Sequence, residues 1–574
     1  MTMVPESIGL IGHLGPLANA VAEKLKARGL PVARATPGDS LGSVFSAAPG
    51  RLILFPFPPD SSRRAWASTE SFLSSLRTTL DWAVQTGVRR IVLRSHAIAY
   101  GSSMKNPGLL DEGRTTLLPK DSVERRWLAA EGALFRICGS GEGARASCAA
   151  VRLTSVLDSG EGDLVAAMLA RRATVPMAGY DPQLQLLSLR DAAECLVAAL
   201  LSEAQGVFNG APAGTVPVRS ALRAANSVRF GISGALQKPL RQLFWKAGLA
   251  RFPGETMDRV KYNWTVSPER AAEAFAFRAR DTSSHALRDY LTSLGHGRPD
   301  RVLDEYDEFG LDVPYLERFS WWFDFLAKVY WRVEHEGIDN VPSEDPALLV
   351  SNHRGFMPFD GVVHRHLILR NRGRHIRFLV IPSLFKFPFL SNFLIKQGGV
   401  VASQTNARKL FQRRELVGIF PEGINGAFRM YKGAYKLGEL GRNAFARMAI
   451  ENQVPLIPAP TIGHVEIFPI LGRVESPLVV RHTGWPFLPI TPTFPFLPAP
   501  LPTKWHIRYL EPIPVSKYAP EDSSSPLAVG ELASRLRDVL QASIDDMLRR
   551  RRHIFSGKIF GEPPAAAPGG RGAS

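Results

Sequence analysis

His353 and Asp360 are the pair in this chain best suited to moving a proton. An imidazole held by a carboxylate takes a proton from a hydroxyl, because the carboxylate fixes the tautomer and stabilises the imidazolium that forms. A hydroxyl activated in this way attacks an acyl carbon, and donors must then meet the developing oxyanion. Asp360 is the only acidic residue between Asp345 and Glu415, and residues 346–414 carry twelve Lys or Arg against it. A lone carboxylate in so basic a stretch reads as functional, or as a helix cap after Pro358 and Phe359, and the two roles are compatible. Further along, Phe420-Pro421-Glu422-Gly423 ends an apolar run in a turn acid. Glu422 there either orients a polar group or caps the next helix, and Gly423 lets backbone N–H groups face a substrate.

These residues need rigid elements to aim them. Ala347–Ser351, Val417–Phe420 and Leu456–Pro458 are short apolar runs that read as strands, with basic helices between them. His353 follows the first and Glu422 the second, and a strand end is a common place for a catalytic group. The spacing of the pair sets a geometric demand. On an unbroken helix, residues seven apart share a face but lie about 10 Å apart along the axis. Gly355 and Pro358 predict a turn instead, one that folds Asp360 back onto His353.

At this point a resemblance can be stated. Asn352-His353 with Asp360, then Phe420-Pro421-Glu422-Gly423, then Val454-Pro455-Leu456-Ile457-Pro458 resemble the first, third and fourth blocks of the lysophospholipid (1-acylglycerol-3-phosphate) acyltransferase family. The order and the strand contexts agree over about residues 330–515. The resemblance implies an α/β glycerolipid-acyltransferase domain, with His353 as base and Asp360 as its orienter. It also implies Glu422 and Gly423 in acceptor binding, an acyl-CoA or acyl-carrier-protein donor with no cofactor required, and a lysophospholipid-like acceptor. Two departures matter. Six residues separate His353 from Asp360 where the family has four. The third block continues Ile424-Asn425-Gly426 where the family has Thr-Arg-Ser. Arg429 and Lys432 lie close enough in sequence to replace the missing Arg, and Arg354 and Lys386 are further candidates for anionic groups. The second block is the weakest, Gly398–Val401 followed by Asn406–Lys409. Arg408, Arg413 and Arg414 read equally as contacts or as the solvated face of a basic helix.

Residues 7–200 alternate apolar runs (7–12, 51–57, 90–95, 151–156) with helical stretches (17–28, 69–86, 191–201), which argues a doubly wound parallel sheet with helices on both faces. Gly12-His13-Leu14-Gly15-Pro16-Leu17-Ala18 sits where the first strand turns into a helix, so Gly12, Gly15 and Ala18 are candidates for close approach to a pyrophosphate. With residues 88–101, 184–193 and 206–209, this half resembles the extended short-chain dehydrogenase/reductase family, which implies an NAD(P)-binding Rossmann-like domain over residues 1–295. The catalytic pair of that family does not carry over. Alignment on Ala129-Ala130-Glu131 puts Val123 and Trp127 where the family has Tyr and Lys, and neither moves a proton. Residues 32–36 lack the acid that would hold a ribose hydroxyl, and Arg34 could meet a phosphate instead. The expectation is a degenerate domain, with His96 or Tyr100 the alternative proton donor and a packed loop histidine the plainer reading of His96.

The remaining features concern organisation and partners. A chain of 574 residues exceeds one hydrophobic core. The boundaries expected are 1–295, a polar linker at 296–313, a second domain at 314–557 and a disordered tail at 558–574. Cys138, Cys148 and Cys195 fit neither a disulfide framework nor a metal spacing, so buried thiols in a reducing compartment and no metal are expected. The first residues show no secretory signal, and no run of about 20 apolar residues would span a bilayer. The formal net charge of +17 suits an anionic partner, here a membrane surface rather than nucleic acid, or reflects a coding bias toward Arg and Ala. Phe319, Trp322, Phe325 and Leu326 fall at helical spacing, near Trp321, Tyr330 and Trp331. Gly484–Pro502 holds Trp485, Phe487, Leu488, Phe494, Phe496 and Leu497 without a charge, and Lys504, His506 and Arg508 follow. Each segment either packs on the domain core or enters the headgroup plane of a cytoplasmic membrane face. The sequence thus points to a peripheral acyltransferase. An NAD(P)-dependent oxidoreductase with a lipid-binding tail and a non-enzymatic membrane scaffold are the alternatives.

Overall fold

The computed structural model describes residues 7–561 apart from 46, 59–68, 115–121, 140–144, 159–162, 175, 230–233, 249, 251, 296, 303–305, 356, 495 and 497–498. The chain forms two compact units, residues 1–310 with 387–392, and residues 311–386 with 393–574.

The first unit opens with β1 (Ile8–Gly12), α1 (Pro16–Ala27), β2 (Val32–Ala35) and β3 (Arg51–Phe55). Then come α2 (Thr69–Gln85), β4 (Arg90–His96), α3 (Ser122–Cys138), β5 (Ser147–Leu153), α4 (Leu189–Leu201) and β6 (Gly206–Gly210). The six strands pair in parallel in the order β6-β5-β4-β3-β1-β2. Leu52–Leu54 of β3, Ile91–Leu93 of β4 and Cys148–Val151 of β5 are buried apolar runs, as a sheet covered on both faces requires. Leu17, Ala18 and Val21 of α1 pack with Ala193, Leu196 and Val197 of α4 on one face. Leu73, Leu76 and Leu80 of α2 pack with Trp127, Ala130 and Leu134 of α3 on the other. This is a Rossmann-like doubly wound fold, and its strand order reverses between β1 and β3, the place where such sheets open a ligand crevice.

In the second unit a short helix, Val313–Arg318, precedes α5 (Ser320–Asp324), which runs on as a π-helical turn over Phe325–Tyr330. The unit continues with β7 (Glu334–Glu336), β8 (Ala347–Val350), α6 (Phe359–Arg372), β9 (Ile376–Val380), β10 (Val400–Val401), α7 (Gln404–Gln412) and β11 (Leu416–Ile419). After these come α8 (Gly423–Ala427), α9 (Ala444–Asn452), β12 (Leu456–Pro458), β13 (Thr461–Ile462), β14 (His506–Arg508) and α10 (Pro526–Arg550). Five parallel strands run β10-β9-β11-β8-β12, so β8 lies inside the sheet with all four of its residues buried. A smaller sheet, β7-β14-β13, carries the antiparallel return. Leu532, Leu536, Leu540, Ile544 and Met547 of α10 recur every three or four residues and form its buried stripe.

Two expected boundaries need correction. The segment 296–313 is not a polar linker: Val302, Tyr306, Phe309 and Leu311 are buried. Phe309 fills the space beside Gly108 in the first unit, and Leu311 joins Leu316, Phe323 and Val362 in the second. The tail does not leave the domain at 558, since Ile559 is buried and its N–H reaches Glu334 Oε2 at 3.4 Å. Residues 562–574 lie outside the described residues, as does Leu497. The aromatic segment splits: Phe323, Leu326 and Trp331 enter the core, whereas Phe319, Trp321, Trp322 and Phe325 face outward. Cys138, Cys148 and Cys195 are buried free thiols.

Candidate active site

The site is built where β8 ends. Its last turn of chain is clipped in place by Asn352, whose Nδ2 donates to Thr461 O (3.0 Å) while its Oδ1 accepts from Thr461 N (2.8 Å). Gly355 then takes φ +81°, a left-handed conformation open to glycine at little cost. Pro358 occupies the N-cap position of α6, which places Asp360 in the first helical turn. The chain has thereby reversed, and His353 Nδ1 meets Asp360 Oδ2 at 2.5 Å. Asp360 Oδ1 accepts from the N–H of Gly361 at 2.9 Å, so both carboxylate oxygens are fixed, and the side chain is 1% exposed. A carboxylate beside Nδ1 favours the tautomer that carries its proton on Nδ1. Among the described residues Nε2 has no hydrogen-bond partner, and His353 lines a cavity of about 110 Å³. Phe420 packs on the imidazole (centroids 4.9 Å apart) and stacks on Phe378 (5.1 Å), which holds the ring plane.

Glu422 stands behind the histidine. Arg354 Nη1 donates to Glu422 Oε2 (2.7 Å), the N–H of Gly438 donates to Glu422 Oε1 (3.0 Å), and both side chains are almost fully buried. The same guanidinium donates to the carbonyls of His353 (2.7 Å), Lys436 (3.1 Å) and Ala434. Arg354 and Glu422 are thus a strut that fixes the His353 backbone. Arg429 donates to Lys436 O, and Lys432 stands exposed. Gly423, at φ +52°, lines the cavity. Lys386 ends a short turn after β9 and is half-buried. Arg408 pairs with Glu451 and Arg414 with Asp345 (2.6 Å) on the surface, a solvated face.

Sequence reasoning missed two groups. His364 is fully buried between Tyr509 OH (3.1 Å), Ser351 Oγ (3.2 Å) and Thr461 Oγ1 (3.2 Å), and burial pushes its pKa down to about 4. Arg365 and Gln397 line the same cavity as His353. The signal for His364 and Arg365 was the run Val362-Val363-His364-Arg365-His366-Leu367-Ile368, whose polar members are as buried as its apolar ones; Gln397 had none.

In the first unit, a cavity of about 580 Å³ opens beside Gly12, His13, Thr36, Asp39 and Ser75. Gly12 is required by the sheet itself: at φ +119°, a Cβ would sit 2.2 Å from Phe55 O. Gly15 is the N-cap of α1 and leaves that helix end without a side-chain cap, and Ala18 is buried against the sheet. Arg34 donates to Asn19 Oδ1 (2.9 Å) and does not line the cavity. An acid does reach this region, three residues later than sought. Asp39 accepts from Thr36 N (2.6 Å) and Oγ1 (2.8 Å), and these bonds hold its carboxyl below the usual range. Val123 and Trp127 are buried core residues of α3. His96 has both ring nitrogens engaged, with Ile98 N (3.0 Å) and Asp163 Oδ2 (3.2 Å). Tyr100 is buried on Asn209, its pKa pushed up to about 12 by desolvation.

A parallel-sheet domain that presents a buried His–Asp pair at a strand end, with a Pro-Glu-Gly turn on the neighbouring strand, defines a class. The acyltransferase family matches residues 332–461. An uncharacterized protein of Mycobacterium tuberculosis is 31% identical over 301 residues, covering 51% of this chain and 84% of that one. One from Mycobacterium leprae is 36% identical, covering 47% and 76%. The human DGAT1/2-independent enzyme synthesizing storage lipids is 28% identical, covering 41% and 67%. The chain belongs to the acyltransferase family. Among solved structures, a short-chain dehydrogenase/reductase superfamily protein from Agrobacterium tumefaciens with bound NAD is 18% identical (TM-score 0.37), covering 50% of this chain and 96% of that one. UDP-N-acetylglucosamine 4-epimerase from Bacillus cereus is 14% identical (TM-score 0.37), covering 50% and 99%.

Proposed function

We propose that this protein moves a fatty acyl group from acyl-CoA or acyl-carrier protein to a hydroxyl of a lysophospholipid or related glycerolipid. The observation that carries this reading is the 2.5 Å contact from His353 Nδ1 to Asp360 Oδ2, with His353 lining a largely apolar cavity. Nε2 takes the hydroxyl proton as the oxygen attacks the thioester carbon. The imidazolium, stabilised by Asp360, returns the proton to the departing thiolate. The acyl group passes directly between substrates, so atoms and charge balance without a covalent enzyme intermediate. His353→Ala and Asp360→Asn test it: with the fold intact by circular dichroism, transfer from palmitoyl-CoA to monoacylglycerol or lysophosphatidate falls about 10²–10⁴-fold. Undiminished transfer by His353→Ala sinks the reading.

The favoured setting is peripheral attachment to an anionic membrane on its cytoplasmic side. The outward Trp321, Trp322 and Phe325 support it, as does the +17 charge. Among the described residues no helix is long and apolar enough to cross a membrane.

The first unit fits a dinucleotide in part. The backbone at Gly12, Gly15 and Ala18 would hold a pyrophosphate at the open end of α1, and Asp39 a ribose hydroxyl. NAD(P) bound there would supply hydride chemistry, but Val123 and Trp127 give it no proton relay. The reading is therefore a binding or structural domain. Titration of the full chain with NADH and NADPH, followed by tryptophan fluorescence and melting temperature, decides between them.

A further inference from the structure

The cavity beside His353 is walled by Phe378, Val380, Leu384, Leu394 and Phe428, as a slot for hydrocarbon would be. Two of its lining residues do not suit that purpose. Arg365 is 2% exposed, and Gln397 is 6% exposed. Among the described residues Arg365 forms no ion pair, and its Nε and Nη2 have no hydrogen-bond partner. Both the Nε2 and the Oε1 of Gln397 are likewise unpartnered. The guanidinium is covered on one side by the ring of Phe323, 4.6 Å from its centroid. Asp312, which accepts from the N–H of Tyr315, is neutralised by Lys396 at 2.5 Å. The tyrosine beside Arg365, Tyr315, has its pKa raised by burial and offers no negative charge.

A buried guanidinium without a counter-charge is among the costliest arrangements a fold can keep, and buried polar groups in native proteins are nearly always satisfied. Two such groups on the wall of one cavity, which His353 also lines, have a common explanation. Arg365 follows Asp360 by five residues on α6, about 7.5 Å along the helix axis. A molecule reacting at His353 can therefore extend one end to Arg365.

We infer that Arg365 and Gln397 receive an anionic oxygen, carboxylate or phosphate, borne by an otherwise apolar substrate that occupies this cavity. The planar fork of Arg365 pairs with two oxygens at once, and the Gln397 amide supplies a further donor. The anion comes either from the headgroup of the acceptor lipid or from a polar terminus on the acyl chain. That the occupant is a substrate rests on the acyl-transfer reading; that the cavity binds an anionic amphiphile does not.

The test is calorimetric titration of the full chain with hexadecyl phosphate, hexadecanedioate and the neutral 1-hexadecylglycerol. The expected result is a preference of about tenfold or more for one of the two anions over the neutral amphiphile, lost in Arg365→Met. Preference for the phosphate names the acceptor headgroup as the source, and preference for the dicarboxylate names the acyl chain. Should Arg365→Met not fold, Arg365→Lys, which keeps the charge and loses the fork, and Gln397→Met are compared in the same way. Equal binding of all three amphiphiles by the unmodified chain overturns the proposal, and so does an anion preference that survives in the folded variants. Failure of acyl transfer by the unmodified chain bears on the catalytic reading alone, because the titration needs no turnover.

Discussion

Arg354 Nη1 and Glu422 Oε2 lie 2.7 Å apart with neither side chain open to solvent, and the guanidinium also holds the carbonyl of His353 at 2.7 Å. The turn after β11 is thus tied to the turn after β8, and the acid of the Pro-Glu-Gly motif is linked through Arg354 to the backbone of His353, the proposed base.

Removal of either partner leaves a buried charge unpaired. Glu422→Ala and Arg354→Ala are expected to destabilise the second unit by about 3–5 kcal/mol, read as a lower urea midpoint. Glu422→Gln keeps one accepting oxygen for the two N–H donors and leaves the guanidinium unpaired, so it too is expected to destabilise the unit. A Glu422 that contacted the acceptor directly would behave otherwise, raising KM at unchanged stability. The urea titration and the KM measurement together separate the two roles.

Gly355 carries the second prediction. Its φ of +81° is what turns the chain between His353 and Asp360, while a Cβ there would meet nothing within 4 Å. Gly355→Ala is therefore a test of backbone strain alone, with an expected stability loss of about 1 kcal/mol. If the loop relaxes, Asp360 shifts from Nδ1, and a displacement of about 1 Å at a catalytic group costs on the order of a hundredfold. The expected signature is a fall in kcat with KM nearly unchanged. Equal falls in kcat and in the urea midpoint of the whole unit would instead indicate general unfolding.

Much of this arrangement could be read from residues alone. The alternation of apolar runs with helices set out the parallel sheet of the first unit, and Gly355 with Pro358 announced the reversal that joins His353 to Asp360. What could not be read depended on partners distant in sequence. Glu422 and Arg354 are 68 positions apart, and nothing local distinguishes a turn acid facing solvent from one buried on a guanidinium. Nothing in the sequence sets Arg365 apart from Arg370 and Arg372 on the same helix; the burial of α6 around it does. The segment 296–313 misled by its charge, because the few apolar side chains among its acids are the ones that pack.

The third prediction concerns pH. Burial holds the folded-state pKa of His364 near 4, against 6.5 for the free side chain. Between those values the unfolded chain binds the extra proton, so stability rises with pH from about 4 to 6.5 and is flat above. The gap is worth about 3 kcal/mol for this one group. His506 is displaced the same way, chiefly by desolvation, and His464 further still. Urea unfolding of the second unit is expected to weaken steeply as pH falls from 6.5 toward 4. His364→Gln should lower the slope by up to one proton while losing stability at neutral pH. An unchanged slope in that variant would show that His364 titrates normally in the folded chain.

The last prediction separates charge from apolar insertion at the membrane. Trp321 is 65% exposed and Trp322 42%, and Trp322 stacks on the outward Phe325 at 5.5 Å. Water offers these rings no stabilisation, whereas the headgroup boundary accommodates them. Lys328 on the same turn is paired with Asp324 at 3.0 Å, so the patch itself adds little free charge, and its contribution should resist salt. Trp321→Ser with Trp322→Ser removes two half-exposed rings, a change of about 2 kcal/mol, or roughly thirtyfold in partitioning to vesicles. Sedimentation with phosphatidylglycerol vesicles at low and high salt reads both components. The unmodified chain should retain a salt-resistant fraction on the vesicles that the double variant loses, while both share the salt-sensitive fraction set by the net positive charge. If the double variant partitions as the unmodified chain does at high salt, the aromatic turn is not what touches lipid.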